Sequence, residues 1–519
     1  MKMTGKAALW GSLCALTLSG MPALAQDTVL RVAVQASDIV TLDPHRATTV
    51  NDKGPVGWLF NGLVRFPPGS ADPEKLEPDL AESWTSSPDG KEWVFKLRPG
   101  VKFHGDWGDV TADDVVYSLQ RAKDPERSSF AAGYEAFKTI EAVDPLTVRI
   151  VLDHPVPGFL GLVANYHGGN IVSKKAAEAE GADFGEKPVG TGPFEFVQHT
   201  TQQNVTFEKN PDYFRGAPKI DRIDYRMIPQ DSSRELAFSS GELDLIAGKR
   251  EQRWVERWRQ QPGAIVNVFG PGEYRMLHLN MTIPPLDDHR VREAIARAVN
   301  VDDIVAFVGA DVGPKGCSVV PTNYLGADCT GWDYPYDIEK AKALLAEAGH
   351  PNGVTVKAVV SSLNAQLPIM EVIQAQLAEA GITLDMQVVD HPTYHDMIRK
   401  DVSGVTFYGS ARYPIADTFL TEFFDSAAIV GKPTAITNFS HCAVADAPIE
   451  AARAELDPTK QLADWSEAQR LIHQEICAIP LFTLQQVWLQ SDKLDLGYKL
   501  EGALNLVPPI TEASVLKAE

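Results

Sequence analysis

An α/β fold of two or three domains is what this sequence predicts, and three observations carry it. The chain has 519 residues, more than one hydrophobic core usually serves. From Asp337 onward, helix, glycine and strand follow one another twice. Asp337 caps a helix carrying Leu344, Leu345 and Ala348, Gly349 ends it, and Val354 to Val360 reads as a strand. Pro368 then opens a helix with Ile369, Ile373 and Leu377, Gly381 stops it, and Ile382 to Val389 is the next strand. The third observation is the stretch from Leu80 to Arg121, which reads as strand, loop and helix.

The remaining elements fall in order. Lys2 and Lys6 precede an apolar run from Ala7 to Leu18 and the Ala23-Leu24-Ala25 site, the build of a secretory signal peptide cleaved after Ala25. The run is short for a bilayer span, an uncleaved anchor being the alternative. Cys14 lies inside it without a small residue before it, which argues against a lipid-anchored N-terminus. Leu30 to Val34 alternates like a strand, and Pro67-Pro68-Gly69 marks a turn. Ser87-Pro88-Asp89-Gly90 is a second turn. After it Trp93, Phe95 and Leu97 alternate with Glu92, Lys96 and Arg98, the period of a half-buried strand. Pro99-Gly100 breaks the run, Val101 and Phe103 resume it, and Gly105 and Gly108 open a loop. Thr111 and Asp114 form a capping box for a helix whose inner face is Val115, Leu119 and Ala122. Thr147 to Leu152 is another strand, and Pro155 with Pro157 begins a loop. Gly190-Thr191-Gly192 invites a phosphate-loop reading, but Phe194, Phe196 and Val197 lead into a strand where a helix N-terminus is needed, so a tight turn is expected. Val291, Ile295 and Val299 repeat at helical spacing, Trp465, Ile472 and Ile476 share a helical face, and Ile479 to Leu484 forms a strand beyond them.

Composition excludes some functions. A formal net charge of −21 argues against nucleic acid or an anionic membrane as partner. Beyond Ala25 there are Cys317, Cys329, Cys442 and Cys477. In an exported chain they favour two disulfides out of three possible pairings. Cys317 and Cys329 bracket a loop with Pro321 and Gly326, so the expected bridges are Cys317–Cys329 and Cys442–Cys477. His441 and His473 beside the second pair invite a metal reading, but their spacing matches no standard zinc pattern. No Gly-x-Ser-x-Gly elbow, His-Glu-x-x-His or Walker A loop occurs. The paired carboxylates Asp113-Asp114, Asp287-Asp288 and Asp302-Asp303 sit at helix starts, where the macrodipole explains them. No catalytic residue, cofactor or metal is expected, with a secreted hydrolase as the remote rival.

The order of residues says more. Leu80-Ala81-x-x-Trp84, Asp89-Gly90, Phe95-x-Leu97-Arg98-x-Gly100-Val101-x-Phe103-His104 and Thr111-Ala112-x-Asp114-Val115-Val116-Tyr117-Ser118 resemble the signature of the extracellular solute-binding proteins of family 5, the peptide/nickel class that captures solutes for ABC importers. Leu42-Asp43-Pro44-His45, Asn61-Gly62-Leu63-Val64-Arg65, Pro188 to Pro193, Asn210 to Gly216, Ser240 to Asp244, Pro285 to Ala294 and Glu339 to Leu345 resemble further landmarks, so the likeness spans nearly all of the chain after Ala25.

The resemblance implies a periplasmic binding protein-like class II fold: two α/β lobes joined by a hinge, with an extra domain inserted in the first. Mapped here, the first lobe covers 26–65, 180–270 and 490–519, the inserted domain 66–179 and the second lobe 271–489. It implies a periplasmic, monomeric protein that encloses a peptide or peptide-like solute between the lobes and delivers it to permease subunits in the inner membrane. A non-peptide ligand such as an opine, modified amino acid, sugar conjugate or chelate is the alternative. The ligand-binding candidates it points to are Leu42, Asp43 and His45 in the loop after the first strand, Tyr117, Arg250, and the segment with Ser410, Arg412, Tyr413 and Asp417. That segment departs from the family pattern. Peptide binders of the class carry Trp-x-x-Asp-x-x-Asp-Pro-x-x-Phe, whose first Asp holds the peptide ammonium; aligned on Phe419, Arg412 takes its place. An arginine repels an ammonium and suits a carboxylate or phosphate, so we expect Arg412 to face the cleft and bind an anionic group. The opposing reading pairs Arg412 with an acid such as Asp417 and makes Lys249, Arg250 and Arg253 a solvated face.

Overall fold

The computed structural model describes residues 27–431 and 437–517; the expected signal segment and its cleavage point lie outside the described residues. Ten strands form one sheet in the order Ile382–Val389, Val354–Ser361, Val405–Ser410, Ala264–Leu279, Ala478–Ser491, Leu245–Ala247, Val29–Val34, Arg222–Met227, Asn204–Lys209 and Phe194–Thr200. The antiparallel pair Ala264–Leu279 and Ala478–Ser491 belongs to both halves. Tyr274 to Leu279 of the first pairs with Val405–Ser410 on the second-lobe side. Trp488 to Gln490 of the other pairs with Leu245–Ala247 on the first-lobe side. Between these ends the register shifts at Phe269/Glu273 and again at Arg275/Met276, around a cis Gly270-Pro271 bond. The strand passes through Gly270-Pro271-Gly272 as a bulge. Gly272 permits this, since a Cβ there would meet the Leu484 backbone.

Alternation along the strands gives the sheet two different faces. On one, a continuous apolar layer runs beneath both lobes, from Ala33, Trp254 and Trp258 to Val356, Ile373 and Leu377. On the other, Leu30, Val32, Trp58 and Tyr225 form the first lobe's core, and Tyr274, Met276, Phe419, Phe423 and Trp465 form a separate one in the second. The lobes are therefore fused on one face and divided on the other. That division is the interlobe cleft.

A second, four-stranded antiparallel sheet (Ala81–Ser86, Glu92–Leu97, Thr147–Leu152, Phe137–Asp144) lies between the first-lobe segments in sequence. With the helix Ala112–Lys123 it encloses its own core of Phe95, Leu97, Val115, Leu119, Phe137 and Ile150. The Thr111–Asp114 capping box forms. Val101 and Phe103 do not resume the strand: both are buried, but only Lys102 makes a bridge, to Asp109. Gly190 and Gly192 lie so close to the Trp58–Leu59 backbone that neither has room for a Cβ, a packing duty unrelated to phosphate. Both expected disulfides are present, Cys317–Cys329 and Cys442–Cys477. His441 pairs with Asp401 and His473 with Ser318 and the Val319 N–H. Among the described residues no group of three or more His, Cys, Asp or Glu is placed to hold a metal, and no helix is long and apolar enough to cross a membrane.

Candidate ligand-binding site

The first-lobe wall of the cleft is built by the helix Val50–Leu59, N-capped by Thr49, whose hydroxyl accepts from the Asp52 N–H. This helix presents Lys53. Its ammonium is 5.9 Å from the centroid of the Tyr166 ring, and no carboxylate lies within ion-pair distance among the described residues. Burial, and then the charge of Arg412 across the cleft, push its pKa down to about 8. Beside it His167 stacks on Phe130 at 4.0 Å and on Tyr166 at 3.6 Å, held at a positive φ of 49°. Its Nε2 is buried without a hydrogen-bond partner. Burial first, then Lys53 and Arg412, hold the imidazole well below its ordinary pKa, so it is neutral at pH 7.

The facing wall comes from the segment between Val405–Ser410 and the helix Ala416–Phe424. The Tyr324 hydroxyl pins the Arg412 backbone, accepting from its N–H at 3.2 Å and donating to its carbonyl at 2.8 Å. The Arg412 Nε donates to Glu422 Oε2 at 2.5 Å, its Nη1 donates to the Ala411 carbonyl at 3.1 Å, and the guanidinium lies 5.6 Å from the Phe423 ring centroid. Nη2 makes no hydrogen bond among the described residues. Burial works against the charge, but Glu422 and Tyr408 outweigh it and hold the pKa above its ordinary value. Two cations, Lys53 and Arg412, thus lie near each other beside a neutral His167, and the nearby carboxylate Glu422 is already taken by Arg412. Such a cluster is short of an anion, and Arg412 offers a planar donor with one nitrogen still available.

The residues expected from the sequence are only partly brought here. Arg412 lies close enough to Lys53 of the first lobe to lower its pKa, and its acid partner is Glu422, not Asp417. Asp417 is tucked beneath, its Oδ1 buried without a partner near the Trp465 indole, and burial raises its pKa to about 6. The Ser410 Oγ is likewise buried and unpartnered. Leu42 is core, and Asp43 and His45 are consumed by Arg121: Nη1 donates to Asp43 Oδ1 at 2.8 Å and lies 2.8 Å from His45 Nδ1. With 4% and 0% of their surface exposed, these two brace the first lobe against the inserted domain and are not open to a solute. Tyr117 accepts from Arg127 at 2.6 Å. Arg250 donates to Glu273 at the bulge in the crossing strands, and Lys249 lies 3.6 Å from Asp231, so neither is a bare solvated charge. Tyr413 packs on the inserted domain. Sequence reasoning missed Lys53, Tyr166, His167, Tyr324, Tyr408 and Glu422. Lys53 alone carried a signal, as the lone cation in the stretch from Val50 to Phe60.

Comparison with known proteins agrees with this architecture. The pattern of the bacterial extracellular solute-binding proteins, family 5 middle, matches residues 75–430. The chain belongs to that family. Di/tripeptide-binding protein 2 of Pseudomonas aeruginosa is 30% identical, over 92% of this chain and 94% of that one. Glutathione-binding protein GsiB of Escherichia coli K12 is also 30% identical, with the same coverage. Among solved structures, MoaA of A. tumefaciens R10 in complex with mannopinic acid is 48% identical and superposes with a TM-score of 0.84, covering 95% of this chain and 100% of that one. DppA of Helicobacter pylori in complex with peptide STSA is 29% identical, with a TM-score of 0.78 over 94% and 98% of the two chains. This family 5 protein is a solute-binding component of ABC transport, and its relatives are binding proteins rather than enzymes.

Proposed function

We propose that this family 5 protein captures an acidic, opine-class solute of the mannopinic type and delivers it, without chemical change, to the permease of an ABC importer. The observation that carries the reading is the pair Lys53 and Arg412, facing each other with too little negative charge between them. A ligand carboxylate between these groups relieves their repulsion and accepts from both. The structure bound to mannopinic acid, at 48% identity, supports the same ligand class. Peptide capture is the second reading, favoured by the di/tripeptide and glutathione binders at 30% identity and by Glu422, which can accept from an ammonium. The chain is exported as a monomer, with cleavage after Ala25.

Calorimetry and thermal shift with mannopinic acid, glutathione and ordinary dipeptides decide between these ligands. A ligand that binds only the folded form stabilises it by about 2.7 kcal/mol at one hundred times its dissociation constant. The expected order is mannopinic acid first, glutathione weaker and neutral dipeptides weakest. Dipeptides binding more tightly than the opine would move the assignment to peptides. The intact mass of the exported protein tests the cleavage point.

A further inference from the structure

We propose that Tyr413 is a closure latch, seating the second lobe in a glycine-floored socket of the inserted domain, so that the closed state is held by a contact within the protein as well as by the solute. Tyr413 emerges from the second-lobe strand Val405–Ser410, yet its ring packs against the core of the inserted domain. The Phe66 ring meets it edge-on, with centroids 6.0 Å apart and planes at 61°. The floor is the turn from Gly158 to Gly161, at the start of the short helix Phe159–Val163. A Cβ on Gly161 would overlap the Tyr413 ring and hydroxyl, and a Cβ on Gly158 would press on Tyr413 and Ile415. Gly158 has a separate reason to be glycine, its φ of 66°. Gly161 has no such backbone need; what excludes a side chain there is the tyrosine.

The turn that carries the ring is also held firmly on its own lobe. The Tyr413 carbonyl accepts from the Ile415 N–H at 2.8 Å and from Thr418 Oγ1 at 2.9 Å. The turn bearing the tyrosine is therefore fixed to the helix Ala416–Phe424 before the lobes meet. Arg412 is its neighbour in sequence, so seating Tyr413 and carrying Arg412 opposite Lys53 are one motion. The inserted domain is then a working part of the closing mechanism, since it supplies the surface on which the second lobe comes to rest.

The test needs no ligand. Small-angle scattering and amide hydrogen exchange are measured on the ligand-free full-length secreted chain, wild type and three variants. Tyr413→Ala empties the socket from the second lobe, and Gly161→Ala fills it from the inserted domain. Each is expected to increase the radius of gyration and to speed exchange in residues 159–163 at least tenfold. Tyr413→Phe, which keeps the ring, is expected to match wild type. Gly161→Ala carries the test should Tyr413→Ala fail to fold. Two outcomes overturn the proposal: a wild-type chain already as open as Tyr413→Ala, or variants that scatter and exchange like wild type.

Discussion

Burial, and then the charge of Arg412, cost the Lys53 ammonium free energy until an anion sits beside it. Its pKa is about 8 in the folded chain against 10.5 for an ordinary lysine, so the unfolded state holds the proton more tightly. The ligand-free protein is therefore penalised at neutral pH, and the penalty fades as pH rises from about 8 toward 10.5. A bound carboxylate reverses the preference. Affinity for an acidic solute should fall between pH 7 and pH 9, with proton uptake on binding near pH 8. Calorimetry in two buffers of different ionisation enthalpy measures that uptake. Lys53→Met should abolish it, weaken binding and raise the ligand-free melting temperature; unchanged uptake would place the anion elsewhere. Arg412 makes a complementary prediction. Arg412→Ala should cost about 2–5 kcal/mol of affinity for an acidic ligand, because a buried charge partner is lost. It also frees Glu422, so any binding of a ligand with a free ammonium should strengthen in the same variant. Titrating both ligand types against one variant separates a lost salt bridge from a damaged cleft.

At the scale of elements, the crossing strands set the response to acid. Glu273 sits at their bulge between Arg250 and Arg275. Burial alone would raise its pKa, but the two guanidinium groups outweigh burial and bring it to about 2. Its contribution is present above the ordinary carboxylate value and lost as pH falls from about 4.5 toward 2, on the order of 3 kcal/mol in all. Asp417 has the opposite sign. With its pKa raised to about 6, the folded state takes up a proton first, so stability rises as pH falls from 7 toward 4. Urea titrations across this range should show a maximum near pH 4–5. Glu273→Gln should flatten the acid limb, and Asp417→Asn should remove the rise and stabilise at pH 7 by on the order of 1–2 kcal/mol. These same strands were the hardest to read. Ile479 to Leu484 was legible as a strand, but Ala478–Ser491 continues through Gln485 and Gln486, whose amides ended the apolar run. Gly270-Pro271-Gly272 hid the middle of its partner for the same reason, since a bulge uses the residues of a turn. The repeats of helix, glycine and strand were plain because each lies within one lobe, where burial follows a simple period. The site was least legible: Lys53, His167 and Arg412 come from three distant segments, of which Arg412 broke the family pattern and Lys53 stood only as a lone cation in its helix.

Over the whole molecule, the unequal faces of the sheet decide how it unfolds. The continuous layer from Trp254 to Leu377 couples the two lobes, whereas the core around Phe95 and Phe137 belongs to the inserted domain. Both disulfides lie in the second lobe, closing loops with sequence separations of 12 and 35 residues. In the chain-entropy model these are worth roughly 3 and roughly 4 kcal/mol, with less realised where the unfolded chain keeps structure. Reduction should therefore weaken the second lobe directly and the first through the shared layer. Calorimetry with and without a phosphine reductant should show the main transition moving down in temperature as a unit. The inserted domain, packed on its own core, should hold its transition nearly fixed and so become resolvable as a separate, smaller peak. A reduced protein in which the second lobe melts alone, leaving the first lobe's transition where it was, would mean that the shared layer does not couple them. In that case closure would rest on the hinge strands and the Tyr413 contact alone, and the effect of Tyr413→Ala on the ligand-free shape should be larger in reduced protein than in oxidised.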